Sequence, residues 1–357
     1  MRILANGKNL EHCLKRQNNN YDLIRLLAAI TVIVFHAFYL FKGTHGIAVN
    51  TPLEQIRQSS GSLAVYVFLF LSGMFITASF IKSQNSLVFI IMRVFRIWPA
   101  LIVCVIFTVF VAGVLVSTNS AKEYFGARGS WDYLVHGVLL YHLRYELPGV
   151  FETNYYRFAV NGSLWTLPIE VCCYFMIYVL GIQGVLKNTI ITVVAYAIIL
   201  GLYYLNFYHL KDFLGAPFPY FIIGSLFYFF RQYIIVDYRI SAVLIIVCFF
   251  FYTLLLLNLT LFYTVIVVGA SAIFKRIHLP GDYSYGVYIY GFIIQQLIAH
   301  YFPHTPPVKS IFMALPVVLL IAVLSWHLIE LPAIKMGKKL ALRSQNLVFF
   351  NTKAVTK

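Results

Sequence analysis

An arginine and a histidine, Arg25 and His36, stand eleven residues apart inside an otherwise apolar run from Leu23 to Phe41. In a helix, eleven steps of about 100° return to within roughly 20° of the starting face while the chain rises about 16 Å. Both side chains therefore point to one side of a membrane-length helix, one near its start and one past its middle. Ionisable groups are costly inside a bilayer and mark a pathway or a reaction site. A histidine accepts and returns a proton near neutral pH, the work of a general base. The plainer alternative is a core histidine bonded to a neighbouring helix, with Arg25 as an interfacial anchor.

Three further clusters carry chemistry. In Arg93-x-x-Arg96-x-x-Pro99 the spacing puts two guanidiniums on one helical face where the chain enters an expected third span, and Trp98-Pro99 marks a break. Two planar, permanently charged forks side by side match phosphate oxygens, although a basic flank touching lipid headgroups has the same composition. In Asn161 to Glu170, Glu170 follows Ser163 by two helical turns and shares its face. A buried carboxylate must be paired or protonated. His36 is a natural partner for it, as in hydrolase triads, with Arg25 or a hydroxyl as alternatives. Trp165 beside it fits a substrate platform or an interfacial belt. Near the C-terminus, Tyr285, Tyr288 and Gln295 fall on one helical stripe, which fits either a substrate wall or packing. Glu330 is a candidate partner for Arg93 or Arg96.

The elements that must position these residues are membrane spans. Hydrophobic residues form 61% of the 357 and charged residues 11%, and the mean hydropathy is +0.82, values that exclude an ordinary soluble surface. About ten apolar stretches approach spanning length, near 22–41, 62–81, 97–117, 163–182, 189–206, 216–231, 240–257, 260–274, 284–302 and 311–330. The seventh and eighth are split at Asn258-Leu259-Thr260. Trp131 to Leu143 is apolar but short and carries Asp132, His136 and His142, which predicts a surface or re-entrant helix. The net charge of +15 is spread in short patches between apolar runs, the pattern of the positive-inside rule and not of nucleic-acid binding. With the N-terminus in the cytoplasm, 19 of the 27 Lys and Arg residues fall on that side, from Arg2 and Lys15 to Lys353 and Lys357. Six acidic residues, Glu54 among them, dilute the other eight. The expected fold is an all-α integral membrane bundle, N-in and C-in. Residues 1–20 form a cytoplasmic segment, 21–334 the membrane domain with a long external loop at about 118–162, and 335–357 a basic cytoplasmic tail held against the anionic inner leaflet. The five cysteines form no metal or disulfide pattern, and no metal ligand set is expected.

Taken in order, these motifs resemble the membrane acyltransferase-3 family of bacterial integral membrane acyltransferases. The resemblance runs from Tyr21 to about Lys335. It rests on Asp22 to His36, Phe70-Leu71-Ser72-Gly73-Met74-Phe75, Arg93 to Pro99, Ser163 to Glu170, Ser284 to Tyr290 and Ser325 to Pro332. It implies a multi-pass enzyme of the bacterial inner membrane. Such an enzyme takes acetyl-CoA as a donor substrate, binds no permanent cofactor, and acetylates a hydroxyl of a cell-envelope carbohydrate such as O-antigen, capsule or exopolysaccharide, often lipid-linked. It further implies that His36 is essential and that Arg93 and Arg96 handle CoA. Gly291 stands where many members carry a histidine, and Leu26 where a glycine is common, so no role follows for either. On the residues alone, Arg25 joins the two arginines in donor binding, and His36 with Glu170 forms the catalytic pair. Ser163, Trp165, Tyr285 and Tyr288 line the substrate. The competing class is a transporter or flippase for a lipid-linked sugar or a small anion, with His36, Arg25 and Glu170 as a proton relay. The absence of an evident internal repeat weighs against it.

Overall fold

The computed structural model describes residues 8–41, 52–83, 85–251 and 253–355, and the side chains of all of these except 52–58 and 344–355. Among the side chains counted in the charge asymmetry, Arg2, Glu54, Lys353 and Lys357 lie outside that description. Helices in chain order are α1 (Tyr21–Leu40), α2 (Pro52–Ser83), α3 (Ser86–Ile106), α4 (Arg128–Leu139), α5 (Thr166–Ile182), α6 (Thr189–Tyr204), α7 (Phe218–Phe229), α8 (Tyr238–Phe250), α9 (Leu254–Gly269), α10 (Ser284–Tyr301), α11 (Pro307–Ser325) and α12 (Leu331–Val355). The only strands among the described residues are β1 (Lys8–Asn9) and β2 (Ile235–Val236), paired antiparallel.

The protein is all-α and of membrane type. Among the described residues, five helical stretches are long and apolar enough to cross a bilayer: Tyr21–Leu40, Ser59–Ser83, Ser86–Val116, Gly162–Ile182 and Pro307–Arg343. A sixth arises if Thr189–Tyr204 and Phe207–Leu214, bent by 100°, count as one span. Phe218–Phe229, Tyr238–Phe250 and Leu254–Gly269 are apolar but shorter. At 1.5 Å per residue these three rise about 18–24 Å, less than the roughly 30 Å of hydrocarbon. Ser284–Tyr301, though 18 residues long, is diluted by Gln295, Gln296 and His300, so fewer helices qualify than the ten stretches read from hydropathy.

Three boundaries differ from the sequence reading. The third span starts at Ser86, so Arg93 and Arg96 stand two to three turns inside α3 instead of at its mouth. Asn85 caps it, its side chain accepting from Leu87 and Val88 N–H. The helix does not break at Pro99 but runs on to Ile106 and through a π-helical segment, Phe107–Gly113. Losing one backbone bond costs less in an apolar setting than exposing a whole turn. The seventh and eighth spans divide before Leu254, where Thr253 caps α9, and Asn258 lies inside that helix donating to the Tyr220 hydroxyl at 3.1 Å.

The chain forms two compact units. The first comprises 1–28, 63–82 and 180–284. Its centre is the meeting of α2 and α7, where Gly73 and Gly224 each face the other helix's backbone. A Cβ on Gly73 would stand 1.9 Å from the Phe221 carbonyl oxygen, and one on Gly224 1.9 Å from that of Phe70. Small residues let two helix backbones touch where no side chain fits. A hydroxyl chain, Thr77 to Ser225 at 2.7 Å and Ser225 to Tyr196 at 2.6 Å, ties the same region together. The second unit comprises 29–62, 83–179 and 285–357 and holds α3, α4, most of α5, nearly all of α10, α11 and α12. Within it the segment after α3 folds as a capped turn, with Ser120 and Glu123 in a reciprocal capping box, followed by α4. Hydrogen bonding to Ser120 holds the Glu123 carboxyl below the usual range.

Candidate active site

Helix α1 begins where Asn20 accepts a hydrogen bond from the Leu23 N–H, and it carries His36 four residues before its end. The imidazole meets Phe292 of α10 edge-on at 4.9 Å and Phe35 at 5.6 Å. Its Nδ1 is buried with no hydrogen-bond partner among the described residues. One turn beyond Phe292, the Gln295 amide donates to the Ile33 carbonyl at 2.9 Å. That carbonyl can only accept, so Oε1 of Gln295 points elsewhere, and it too is buried without a partner among the described residues. The next residue, Gln296, bonds Asn154 and the carbonyls of Tyr156 and Ala159. The histidine thus lies beneath Phe292, which packs in turn on Gly162 and Tyr156.

A second cluster surrounds the arginines of α3. Arg96 pairs with Glu330 at 2.7 Å, and Glu330 is 1% exposed. The guanidinium of Arg96 lies 5.5 Å from the rings of Tyr285 and Trp326. Glu330 also accepts from the Ser325 hydroxyl at 3.0 Å. It ends a π-helical segment, Trp326–Glu330, between α11 and α12. Pro332 supplies no N–H at this point, and the wider turn accommodates the lost donor. Of the two partners the sequence offered Glu330, the structure pairs it with Arg96.

Arg93 stands in an apolar groove of about 180 Å³ lined by Phe89, Ile90, Val94, Trp98, Val171, Tyr174, Phe175 and Tyr178. Its Nε is buried without a partner among the described residues. It lies in the electrostatic reach of Tyr174, Arg96 and Glu170. Glu170 accepts a hydrogen bond from the Tyr174 hydroxyl four residues on, and its charge bears on Tyr285 and Tyr288. No described contact joins Glu170 to His36. The 3₁₀ turn Gly162–Trp165 that precedes α5 advances about 120° per residue, so Ser163 and Glu170 are displaced from the common face that continuous helical spacing gives them.

The remaining candidates are placed as follows. Arg25 pairs with Asp22 and, at 3.1 Å, with Asp282, all in the first unit. Tyr285 donates to the Ile97 carbonyl at 3.0 Å, and the Tyr288 hydroxyl meets that of Thr166 at 2.6 Å. Ser163 is buried and Trp165 is 41% exposed. Within the second unit the structure gathers Arg93, Arg96, Glu170, Tyr285 and Tyr288 with Glu330 and Tyr174, and within the first it holds Arg25 between two carboxylates. Tyr174 was legible in principle: a tyrosine at i+4 from a membrane carboxylate is a built-in donor. Beyond α4, a cleft of about 570 Å³ is lined by Asp132, Arg144, Tyr145, Glu146, Glu152 and Phe158, among others.

Ionisable side chains (a histidine, two arginines and two glutamates) held among long apolar helices mark a membrane-type protein that does more than anchor. Residues 18–327 match the acyltransferase-3 family, described as an acyltransferase domain, and the chain belongs to that family and is an acyltransferase. It is 29% identical over 332 residues to an O-acetyl transferase of Shigella phage Sf6, covering 88% of this chain and 95% of that one. Over 173 residues it is 27% identical to Nodulation protein 10 of Rhizobium leguminosarum bv. viciae, covering 47% of this chain and 45% of that one. No solved structure matches the chain.

Proposed function

We propose that the protein is an O-acetyltransferase that moves an acetyl group from cytoplasmic acetyl-CoA to a hydroxyl of a cell-envelope carbohydrate, lipid-linked at the time of transfer. The enzyme sits in the bacterial inner membrane with ten crossings and both termini inside. The observation that carries this reading is His36: an imidazole in a membrane-crossing helix, with a ring nitrogen left without a partner among the described residues. The O-acetyl transferase likeness along nearly the whole chain supports the acetyl group and the oxygen acceptor.

In this scheme His36 removes the proton of the sugar hydroxyl, and the oxygen attacks the thioester carbonyl. The carbon–sulfur bond breaks, the thiolate leaves, and the imidazolium returns the proton to sulfur. A transient acyl group on His36 or a serine satisfies the same balance in two steps. Arg93 and Arg96 receive the donor's phosphate oxygens, with Glu330 fixing the Arg96 guanidinium; within the first unit Arg25 is fixed by Asp22 and Asp282 for the same kind of contact. Glu170 acts in the same catalytic unit through Tyr174 and Arg93, setting the charge seen by the donor. Ser163, Trp165, Tyr285 and Tyr288 line the route between donor and acceptor. The polar cleft of Arg144, Glu146 and Glu152 with Tyr145 and Phe158 suits a carbohydrate, which is recognised by planar polar groups and aromatic faces.

The test is His36→Ala in cells whose envelope polysaccharide acetylation is measured. Transfer is expected to vanish while membrane insertion and thermal stability in detergent are retained. Near-wild-type acetylation by a well-folded variant ends the proposal.

A further inference from the structure

The segment before α1, expected from the sequence to be cytoplasmic, carries the polar run Gln17-Asn18-Asn19-Asn20. In the structure residues 8–20 are held by a series of hydrogen bonds. Lys8 and Asn9 pair with Val236 and Ile235, Leu10 N–H donates to the Ile234 carbonyl at 2.8 Å, and Glu11 N–H to that of Arg231 at 3.1 Å. Asn9 accepts from the His12 N–H at 3.1 Å. Asn18 and Asn19 donate to the carbonyls of His12 and Cys13, and Asn20 to that of Phe274, at 2.8–2.9 Å. Leu10 and Cys13 are buried. Ordering a terminal segment costs about 1–2 kcal/mol per residue in backbone entropy. A dozen residues held this way, with two apolar side chains buried, indicates a surface that has to keep its shape.

That surface is a cleft of about 570 Å³ in the first unit, lined by Glu11, His12, Lys15, Lys82, Tyr228 and Arg231 with Asn9 and Leu14. Its volume lies within the range of small-ligand sites. Arg231 is oriented in advance: it donates to Glu11 at 3.2 Å and to the Tyr228 carbonyl at 2.9 Å, and its guanidinium lies 4.3 Å from the Tyr228 ring. Lys15 and Lys82 are exposed, and their ammonium groups have no partner among the described residues. Desolvation, then the positive field of Lys8, Lys15 and Lys275, holds the His12 imidazole below its ordinary pKa. Against these cations the lining offers one carboxylate, Glu11.

The contrast with the arginines of the proposed site is chemical. Arg25 faces Asp22 and Asp282, Arg96 faces Glu330, and Arg93 lies in the field of Glu170. Each is matched by an acid, so the charge they bring to the donor's diphosphate is already largely compensated, and the phosphate monoester at the donor's nucleoside end calls for cations that no acid matches. We infer that the cleft formed by the N-terminal segment, Lys82 and Arg231 is a binding site for a phosphate monoester, and that its occupant is the bisphosphorylated nucleoside end of the acyl donor. The inference rests on the proposed use of acetyl-CoA and on the N-in orientation. A concave, pre-shaped cleft holding an oriented guanidinium favours a nucleotide over a lipid headgroup, whose phosphate is a diester on a flat surface.

The experiment uses the full-length protein in neutral detergent with adenosine 3′,5′-bisphosphate as the probe. Binding is measured by calorimetry for wild type, for Lys15→Glu/Lys82→Glu, and for a control of equal charge change, Lys187→Glu/Arg239→Glu. The cleft variant is expected to weaken binding at least about tenfold and to raise KM for acetyl-CoA by a similar factor, while the control matches wild type. Equal affinity in wild type and cleft variant overturns the inference, as does no binding to wild type that still transfers acetyl from acetyl-CoA; either result leaves the proposed reaction standing. Flotation on phosphatidylglycerol vesicles that depends on Lys15 and Lys82, without bisphosphate binding, assigns the cleft to lipid and also overturns it. If acetyl-CoA donates to no acceptor, the proposed reaction fails, and the calorimetry still reports on the cleft.

Discussion

His36 and Gln295 each bury a polar atom that finds no partner among the described residues, and both lie where α1 meets α10. Phe292 touches the imidazole while Gln295, one turn along the same helix, bonds the carbonyl one turn before His36. An unmade hydrogen bond on a buried amide oxygen costs about 1–3 kcal/mol. A site tolerates that where the atom is kept ready for a partner that arrives with substrate or with a ring rotation. Gln295→Leu keeps the volume and removes the amide. It is expected to lower kcat by roughly ten- to hundredfold with KM for both substrates little changed, since a misoriented base costs rate more than binding. Steady-state kinetics on detergent-solubilised protein checks this. A fall in thermal stability with unaltered kcat per folded molecule instead marks Gln295 as packing. The same reasoning separates Glu170 from His36: with its described contacts directed at Tyr174 and the arginine cluster, Glu170→Gln is expected to alter donor KM at least as much as kcat.

At the level of elements, two local irregularities decide what the helices deliver. The π-helical segment Trp326–Glu330 brings Glu330 to Arg96, and the carboxylate is then almost wholly enclosed. Removing one member of such a pair strands a buried charge, at a cost of about 3–5 kcal/mol, whereas replacing both with apolar groups is close to neutral. Thermal unfolding is therefore expected to show Arg96→Met strongly destabilised and Arg96→Met/Glu330→Met largely restored. Additive losses in the double variant refute the pairing as a stability element. The contact of α2 with α7 gives a second case. Gly73→Ala forces a Cβ into the Phe221 carbonyl, and an overpacking loss of about 1–3 kcal/mol or more is expected in the same measurement. Why some of this was legible and some not follows from the same elements. The start of α1 at Tyr21 and the stripe of α10 are periodic and could be read directly. The continuation of α3 through Pro99 could not, because proline reports a lost hydrogen bond and not what a bilayer charges for breaking the helix. Asn258 looked like a loop residue because its partner, Tyr220, is distant in sequence.

Across the whole molecule, most of the ten apolar stretches read from the chain coincide with helices, but 240–257 runs through the end of α8 into α9, and hydropathy carries no record of how far each short helix reaches. Phe218–Phe229 and its neighbours bury polar groups against one another, which composition does not distinguish from a crossing. Charge does carry information about sides. In the proposed N-in, C-in arrangement the excess of Lys and Arg marks the inner connections, with an even number of crossings, the segment after α3 outside and α12 inside. Thiol labelling tests this on the intact protein, because the native cysteines are poor reporters: all five are free, and Cys13, Cys104, Cys173 and Cys248 are buried. Lys122 and Lys339 are exposed, one just before α4 and one on α12. Lys122→Cys is expected to react with a membrane-impermeant maleimide in spheroplasts, and Lys339→Cys only after the membrane is opened. Labelling of both without permeabilisation means an even number of crossings between them, against the odd number that the N-in, C-in arrangement requires. The C-in placement of α12 then fails, and with it the sidedness that the Lys and Arg distribution assigns to the connections.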